Sequence, residues 1–315
     1  MMRTALAFSL LASLAIAQDQ EKDLWMTDFA AAQAKAKSEN KDLLVDFTGS
    51  DWCGWCIRLD NEVFSKTEFK DSAPSNFVMV KLDYPRDKSI LTEEVLAQNE
   101  ALQMKYSVAG FPTILLMDHQ GHVYGQMGYE EGGPENYNNL LDEKLKAGKG
   151  FKAAIANATS KKGIERAQAL DDCLGSLDEE LAQAYHFEIM NEIVMLDADG
   201  KAGLREKYSE IVAKIKESRD LQAAGQELQA LIGEHMEKGE GEAAIAKLDS
   251  VIAKPKSNVH HQMAMFFKGM VIMDTTQDIK AAVAVLEAAV ALAPKSSIAE
   301  RINQVLPQIK ASGGK

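Results

Sequence analysis

The amino-acid sequence predicts an α/β domain followed by an all-α domain. In the first half, short apolar runs typical of strands alternate with stretches typical of helices. A tight turn between the last two apolar runs indicates one antiparallel hairpin. Beyond residue 150 the strand-like runs stop, and an Ala-, Leu-, Glu- and Lys-rich sequence with helical periodicity follows. We therefore expect a mixed sheet with two helices on each face, and then a helical module.

The elements of the first domain follow in order along the chain. Strands are expected at residues 43–47, 77–83, 113–117 and 123–127, and helices at 28–37, 53–64, 92–105 and 134–146. Ala147-Gly148-Lys149-Gly150 then interrupts the last helix, because two glycines within four residues disfavour a helix. We place the domain boundary there, with the α/β domain at 18–149 and a separately folding all-α domain at 150–315.

An internal repeat occurs in the second domain. The segment beginning at Ala243 resembles the segment beginning at Ala281, 38 residues later, and each copy ends at Pro-Lys-Ser. That period is typical of paired helices of the tetratricopeptide type. We expect this module to bind other proteins or to self-associate.

Residues 1–17 have the layout of a secretory signal peptide, with Arg3, an apolar stretch and Ala15-Ile16-Ala17 before a polar segment. The apolar run is shorter than the roughly 18 residues that span a bilayer. We therefore expect the protein to be periplasmic or secreted, and disulfides persist in those compartments. A formal net charge of −12 and the lack of a basic stripe argue against a nucleic-acid partner.

The chemistry is expected at Cys53-Gly54-Trp55-Cys56, at the start of a helix. The N-terminus of a helix favours a thiolate, so we expect Cys53 to be the exposed nucleophile. Cys56 lies one turn deeper, where it can resolve a mixed disulfide on Cys53. Half of a zinc site is the alternative, but no second CxxC occurs. We expect no metal and no organic cofactor.

The third cysteine, Cys173, is interpreted as a helical residue without a catalytic role, rather than as half of an interchain disulfide.

The motifs around this dithiol resemble those of the thioredoxin family. Val45-Asp46-Phe47 precedes Trp52-Cys53, and Val80-Lys81-Leu82-Asp83 follows it. Next come Tyr106 and Val108, and then Gly110-Phe111-Pro112-Thr113. The resemblance covers roughly residues 24–146 and is closest to secreted bacterial members with extra C-terminal modules. It implies a thioredoxin-like fold and exchange with protein thiols or disulfides, supplied with electrons by a membrane donor.

The resemblance also implies a substrate-binding surface. Pro112 would follow a cis peptide bond and face the dithiol, and the backbone of Phe111 would pair with an extended substrate segment. Trp52 and Trp55 would complete this surface. Trp55 stands where thioredoxin has proline, and the residues between the cysteines tune the redox potential.

Two further residues have implied catalytic roles. Asp46, a carboxylate within an apolar strand, would exchange a proton with Cys56, and Lys81 would partly offset the burial of that carboxylate. The segment from Thr48 to Asp51 is one residue longer than in typical thioredoxins.

These observations together predict an exported thiol–disulfide oxidoreductase working in the reductase or isomerase direction. Two alternatives stay open. One is a redox-sensing scaffold that uses the helical domain to bind a partner, and the other is a chaperone-like protein that would not need its sulfurs.

Overall fold

The computed structural model describes residues 24–312, so the signal peptide predicted at 1–17 lies outside the described residues. The strands are β1 (Trp25–Met26), β2 (Asp42–Thr48), β3 (Phe77–Asp83), β4 (Thr113–Met117) and β5 (Val123–Met127). The helices are α1 (Phe29–Glu39), α2 (Gly54–Leu59), α3 (Thr67–Asn76), α4 (Glu93–Lys105), α5 (Gly133–Thr159), α6 (Gly163–Leu174), α7 (Glu179–Tyr185), α8 (Phe187–Leu196), α9 (Leu204–Glu237), α10 (Gly241–Ala253), α11 (Asn258–Thr276), α12 (Ile279–Leu292) and α13 (Ser297–Ser312). A π-helical turn, Asp60–Phe64, continues α2.

The five strands form one mixed sheet in the order β1-β3-β2-β4-β5. β2 runs parallel to β3 and antiparallel to β4, and β4 and β5 form the predicted hairpin. All seven residues of the central strand β2 are buried. The expectation of a mixed sheet flanked by helices is confirmed, and each predicted strand lies within one residue of its expected bounds.

Side chains alternate between the two faces of the sheet, and each face has its own apolar core. On one face, Leu43, Val45 and Phe47 pack with residues of α1 and α4. On the other face, Leu44 packs with residues of α2, the π-helical turn, α3 and α5. The second face therefore has two more helices than predicted, α3 and also α6, which contributes Cys173 to the same core. Helix α3 buries only Phe69 and Ala73, too few apolar positions to give a clear helical period.

Helix α5 does not end at the predicted break. Gly148 is buried, and a Cβ atom built on it would lie 2.4 Å from the ring of Tyr124, so this glycine permits close packing within a continuous helix. Phe151, one turn onward, is fully buried in the same core as Leu44. The chain divides instead into two compact units, one ending at Ile189 and the other beginning at Met190. The boundary predicted between 149 and 150 is therefore corrected to lie within α8.

The described residues of the second unit form helices, and its two repeated segments correspond to α10 and α12, which are followed by α11 and α13. The matching positions Ala244 and Ala282, and likewise Leu248 and Leu286, are all fully buried. The small alanines at 244 and 282 let neighbouring helices approach closely. Among residues 24–312, no helix combines the length and the apolar character that a membrane crossing requires.

Candidate active site

The two cysteines of the predicted dithiol form a disulfide at the N-terminus of α2. Cys53 is the N-cap residue of this helix, and its Sγ accepts a hydrogen bond from the backbone N–H of Cys56 at 3.3 Å. Donors at this position stabilise negative charge on Cys53 once the disulfide is reduced. Cys53 and Cys56 are 6% and 4% exposed. The expectation of an exposed first sulfur above a deeper second one is therefore wrong for the oxidised state, in which both are buried.

The loop before Cys53, with its extra residue, is fixed to the chain that follows β3. The Asp51 carboxylate accepts the backbone N–H groups of Arg86 and Asp87 at 3.0 and 3.1 Å. These bonds hold the pKa of Asp51 below its usual value. The backbone N–H and the hydroxyl of Ser50 both donate to Asp83, at 2.9 and 2.5 Å. Four hydrogen bonds thus keep the longer loop in one conformation beside the dithiol.

Trp52, the residue before Cys53, is fixed by contacts with the chain after β3 and before β4. Its Nε1–H donates to the carbonyl of Tyr84 at 2.8 Å, and its ring contacts Phe111 edge-on at a centroid distance of 5.8 Å. The guanidinium of Arg86 lies 5.8 Å from the same ring. Gly49 allows this placement, because a Cβ atom there would lie 2.6 Å from the indole. These contacts hold the side chain in place, and it stays 39% exposed.

The Phe111–Pro112 peptide bond is cis, immediately before β4. Both residues are half-buried. Thr113, the next residue, pairs with Phe47 near the carboxyl end of β2. The contact between Phe111 and Trp52 brings this segment to the loop that carries Cys53.

Trp55, between the two cysteines, belongs to a cluster of four side chains, which we call the Trp55 platform: Trp55, Arg58, Glu62 and Tyr129. The rings of Trp55 and Tyr129 lie 5.2 Å apart, and the guanidinium of Arg58 is 5.5 and 4.8 Å from them. Glu62 accepts from Arg58 Nε at 2.8 Å and from the Tyr129 hydroxyl at 2.5 Å. Trp55 is 56% exposed, although Arg58 and Tyr129 hold its ring in place. Sequence reasoning missed Arg58 and Tyr129, and the spacing of Arg58 and Glu62 by four residues was the only local signal.

Asp46 is the buried carboxylate beneath this surface. It is 3% exposed, and its Oδ1 has no hydrogen-bond partner among the described residues. Burial raises its pKa from 3.8 to about 7, and the nearby Lys81 ammonium opposes that rise. A carboxyl group with a pKa near neutrality can both accept and return a proton. Lys81 is paired with Asp46 in the β2–β3 register, as expected, but its Nζ lies 3.5 Å from Asp60.

Comparison with known proteins agrees with this geometry. A family model described as a thioredoxin-like domain matches residues 29–145. The chain is 35% identical over 124 residues to the disulfide bond reductase DsbH of Chlamydia pneumoniae, covering 39% of this chain and 74% of DsbH. The thioredoxin-related protein DsbJ of the same organism is 32% identical over 127 residues, or 39% of this chain and 36% of DsbJ. The thiol:disulfide interchange protein DsbD of Pseudoalteromonas atlantica is 35% identical over 96 residues, or 30% of this chain and 14% of DsbD.

Solved structures give two further matches. The DsbH oxidoreductase structure shares 31% identity with a TM-score of 0.37, covering 45% of this chain and 95% of that one. The oxidised C-terminal domain of Neisseria meningitidis DsbD shares 17% identity with a TM-score of 0.28, covering 36% of this chain and 90% of that one. With the family model matched over 29–145 and 35% identity across most of DsbH, the chain belongs to the family of thioredoxin-like proteins.

Proposed function

We propose that this chain is an exported thiol–disulfide oxidoreductase that reduces disulfides in protein substrates. The observation that carries the proposal is the Cys53–Cys56 disulfide at a helix N-terminus, in a sheet whose central strand holds the unpaired Asp46 carboxylate. The relative matched over 74% of its length is named a disulfide bond reductase, which favours the reducing direction. The Ala-x-Ala layout of residues 1–17 supports export.

Reduction begins with Cys53. In the reduced protein, its thiolate attacks one sulfur of a substrate disulfide. A bond forms between Cys53 and the substrate, the substrate S–S bond breaks, and the departing sulfur takes the electron pair and then a proton. The N–H groups at the start of α2 stabilise the attacking thiolate.

Release of the substrate needs Cys56 and Asp46. The Cys56 thiol gives its proton to the Asp46 carboxylate as its sulfur attacks Sγ of Cys53. The mixed disulfide breaks, the substrate leaves as a thiolate that takes a proton from water, and the Cys53–Cys56 disulfide forms. A donor dithiol at the membrane then returns two electrons to the protein, and Asp46 gives back its proton.

Substrate docking is assigned to the surface around the dithiol. Trp52 and Trp55, the residues that precede the two buried cysteines, remain exposed, and such fixed aromatic rings bind apolar side chains at little entropic cost. Phe111 contacts Trp52 edge-on, which supports a role for its backbone in pairing with an extended peptide. The helical second unit, with its repeated helix pairs, would bind a protein partner or a second copy of the chain.

Trapping of substrates tests the order of the two cysteines. Cys56→Ala should accumulate covalent complexes with client proteins that dissolve on adding reductant, because the mixed disulfide on Cys53 is not resolved. Cys53→Ala should accumulate few. Cys173→Ala is the matched control and should turn over substrate normally, since Cys173 is fully buried and burial raises the pKa of its thiol to about 12. Equal trapping by the two active-site variants would contradict the ordered mechanism.

The reduction potential of the Cys53–Cys56 pair tests the direction. We expect a value near the roughly −270 mV of thioredoxin, measured by equilibration with glutathione or dithiothreitol. A value near the roughly −120 mV of the strong oxidant DsbA would overturn the reductase assignment. A dithiol that fails to exchange with any disulfide would instead favour the scaffold or chaperone alternatives.

A further inference from the structure

The surroundings of Asp46 include a second carboxylate that the proposed mechanism does not use. Three charged side chains of the described residues act on Asp46: Lys81 and Asp83 of β3 and Asp60 of the π-helical turn. Asp46 in turn raises the pKa of Tyr137 of α5. Asp83 is engaged by Ser50, and the Tyr137 hydroxyl donates to the carbonyl of Gly128 at 3.2 Å. Lys81 and Asp60 are the two whose interaction bears directly on the charge of Asp46.

Lys81 begins on the same face of the sheet as Asp46. The two residues are register partners on adjacent parallel strands, so their side chains leave the sheet together. A lysine in that position is expected to pair with the buried carboxylate. Its Nζ lies instead 3.5 Å from Oδ1 of Asp60 and 5.5 Å from the ring centre of Trp25. Oδ1 of Asp46 is left without a hydrogen bond among the described residues.

Asp60 reaches Lys81 from the helix that carries the dithiol. It is the first residue of the π-helical turn, which lies one turn beyond Cys56, and its side chain is 48% exposed. The Lys81 side chain is 30% exposed and spans the distance between the buried Asp46 and this surface carboxylate. Two partners, the Asp60 carboxylate and the Trp25 ring, thus hold the ammonium at the outer end of its range.

We propose that Asp60 is a positioning residue for thiol–disulfide exchange: it holds the Lys81 ammonium away from Asp46, so that Asp46 stays basic enough to take the proton of Cys56. An ammonium in contact with Asp46 would stabilise the ionised carboxylate and weaken it as a base. Asp60 acts in the same sense through its own negative charge. This inference rests on the proposed function, and it adds a role for a residue that does not touch the reacting sulfurs.

The test follows the two steps of one turnover separately. A peptide disulfide with a different fluorophore on each half reports the attack by Cys53 and the release by Cys56, in stopped-flow experiments from pH 5 to 9. In the wild type, the release rate should rise with pH as Asp46 ionises. In Asp60→Asn, the midpoint of that rise should move down by about half a pH unit to one unit. The plateau rate should also fall, because the base is weaker.

Three comparisons make the outcome decisive. Glu93→Gln, which removes the same charge from an exposed position on α4, should leave the midpoint in place. Lys81→Gln should raise the midpoint, and Asp60→Asn should shift it much less when added to Lys81→Gln, because Asp60 then has no ammonium to hold. An unmoved midpoint in Asp60→Asn, or an equal shift in both backgrounds, overturns the inference. If Asp46→Asn itself retains the wild-type midpoint, the proton transfer of the proposed function fails instead.

Discussion

Two buried aspartates, one in each unit of the chain, have pKa values that are shifted in opposite directions. Asp46 in β2 is 3% exposed, leaves Oδ1 unpaired, and has its pKa raised to about 7 by burial. Asp197, between α8 and α9, is fully buried, yet its pKa is lowered. Its carboxylate accepts three backbone N–H groups, from Arg205, Ala202 and Leu204, at 3.0, 3.1 and 2.9 Å.

The difference shows that hydrogen bonds and depth together decide what a solvent-inaccessible carboxylate does. At Asp197 the donors at the start of α9 stabilise the charge, so the residue serves as a helix cap. At Asp46 few donors compensate the loss of water, so the group stays reactive toward protons near neutral pH. The same residue type therefore fixes structure in one unit and is suited to chemistry in the other.

The comparison of Asp46 with Asp197 requires that the two units fold separately. Truncation tests this requirement and should give the largest effect. A fragment of residues 18–189 should fold cooperatively and keep disulfide exchange. A fragment of residues 18–149 should not fold cooperatively, because it loses Phe151 and Cys173 from the first core. Loss of a buried Phe side chain alone costs roughly 3–5 kcal/mol, a large share of the stability of a typical domain.

Circular dichroism and denaturant titration measure this difference. A fragment of residues 190–315 provides the other half of the test and should melt as a helical unit. If 18–149 is as stable as 18–189, the boundary belongs where the glycines at 148 and 150 suggested it. If neither 18–189 nor 190–315 folds alone, Asp46 and Asp197 do not report on separate units.

The placement of these residues divides clearly into what local sequence predicts and what it does not. Strands β2 to β5, the dithiol helix and the burial of Asp46 followed from apolar runs and motif order, which are properties of adjacent residues, whereas the two-residue β1 was too short to be predicted. Gly148 was misinterpreted because a glycine that admits the Tyr124 ring has the same local signature as one that ends a helix. Only the tertiary partner distinguishes the two.

The site shows the same limit. The Trp55 platform joins Glu62 to Tyr129, residues 67 positions apart, through a hydrogen bond that no periodicity reveals. Lys81 was correctly placed near Asp46, but its contact with Asp60 depends on the direction of a flexible side chain. Likewise, the Asp197 carboxylate caps α9 through backbone N–H groups five to eight residues away, which no short capping motif predicts.

The stability of the Asp46→Asn variant at different pH values gives a second test of the comparison between Asp46 and Asp197. The pKa of the folded carboxyl, about 7, exceeds its ordinary value of 3.8, so ionisation opposes folding. The wild type therefore loses stability as pH rises from about 4 to 7, and the asparagine variant does not. We expect the variant to gain stability over that range, by at most about 4 kcal/mol above pH 7.

Urea unfolding of the oxidised protein at several pH values measures this gain. Asp71→Asn, the same substitution at an exposed position of α3, is the control and should change stability little at any pH. A gain for Asp46→Asn that is independent of pH would mean that packing, and not the buried charge, is responsible.

Asp197→Asn should give the smallest effect and the opposite sign. The amide oxygen still accepts from one or two of the three N–H groups, so the cap weakens without disappearing. Because the pKa of Asp197 is lowered, its stabilising charge is present above 3.8 and is lost as pH falls through the lower folded value. The variant should therefore be less stable than the wild type at pH 7, and the deficit should narrow in acid. Asp199→Asn, in the same loop but with its carboxylate on Lys201, is the matched control and should be nearly neutral. A stabilised Asp197→Asn protein would show that the three N–H groups do not compensate the burial of this charge, and the contrast with Asp46 would fail.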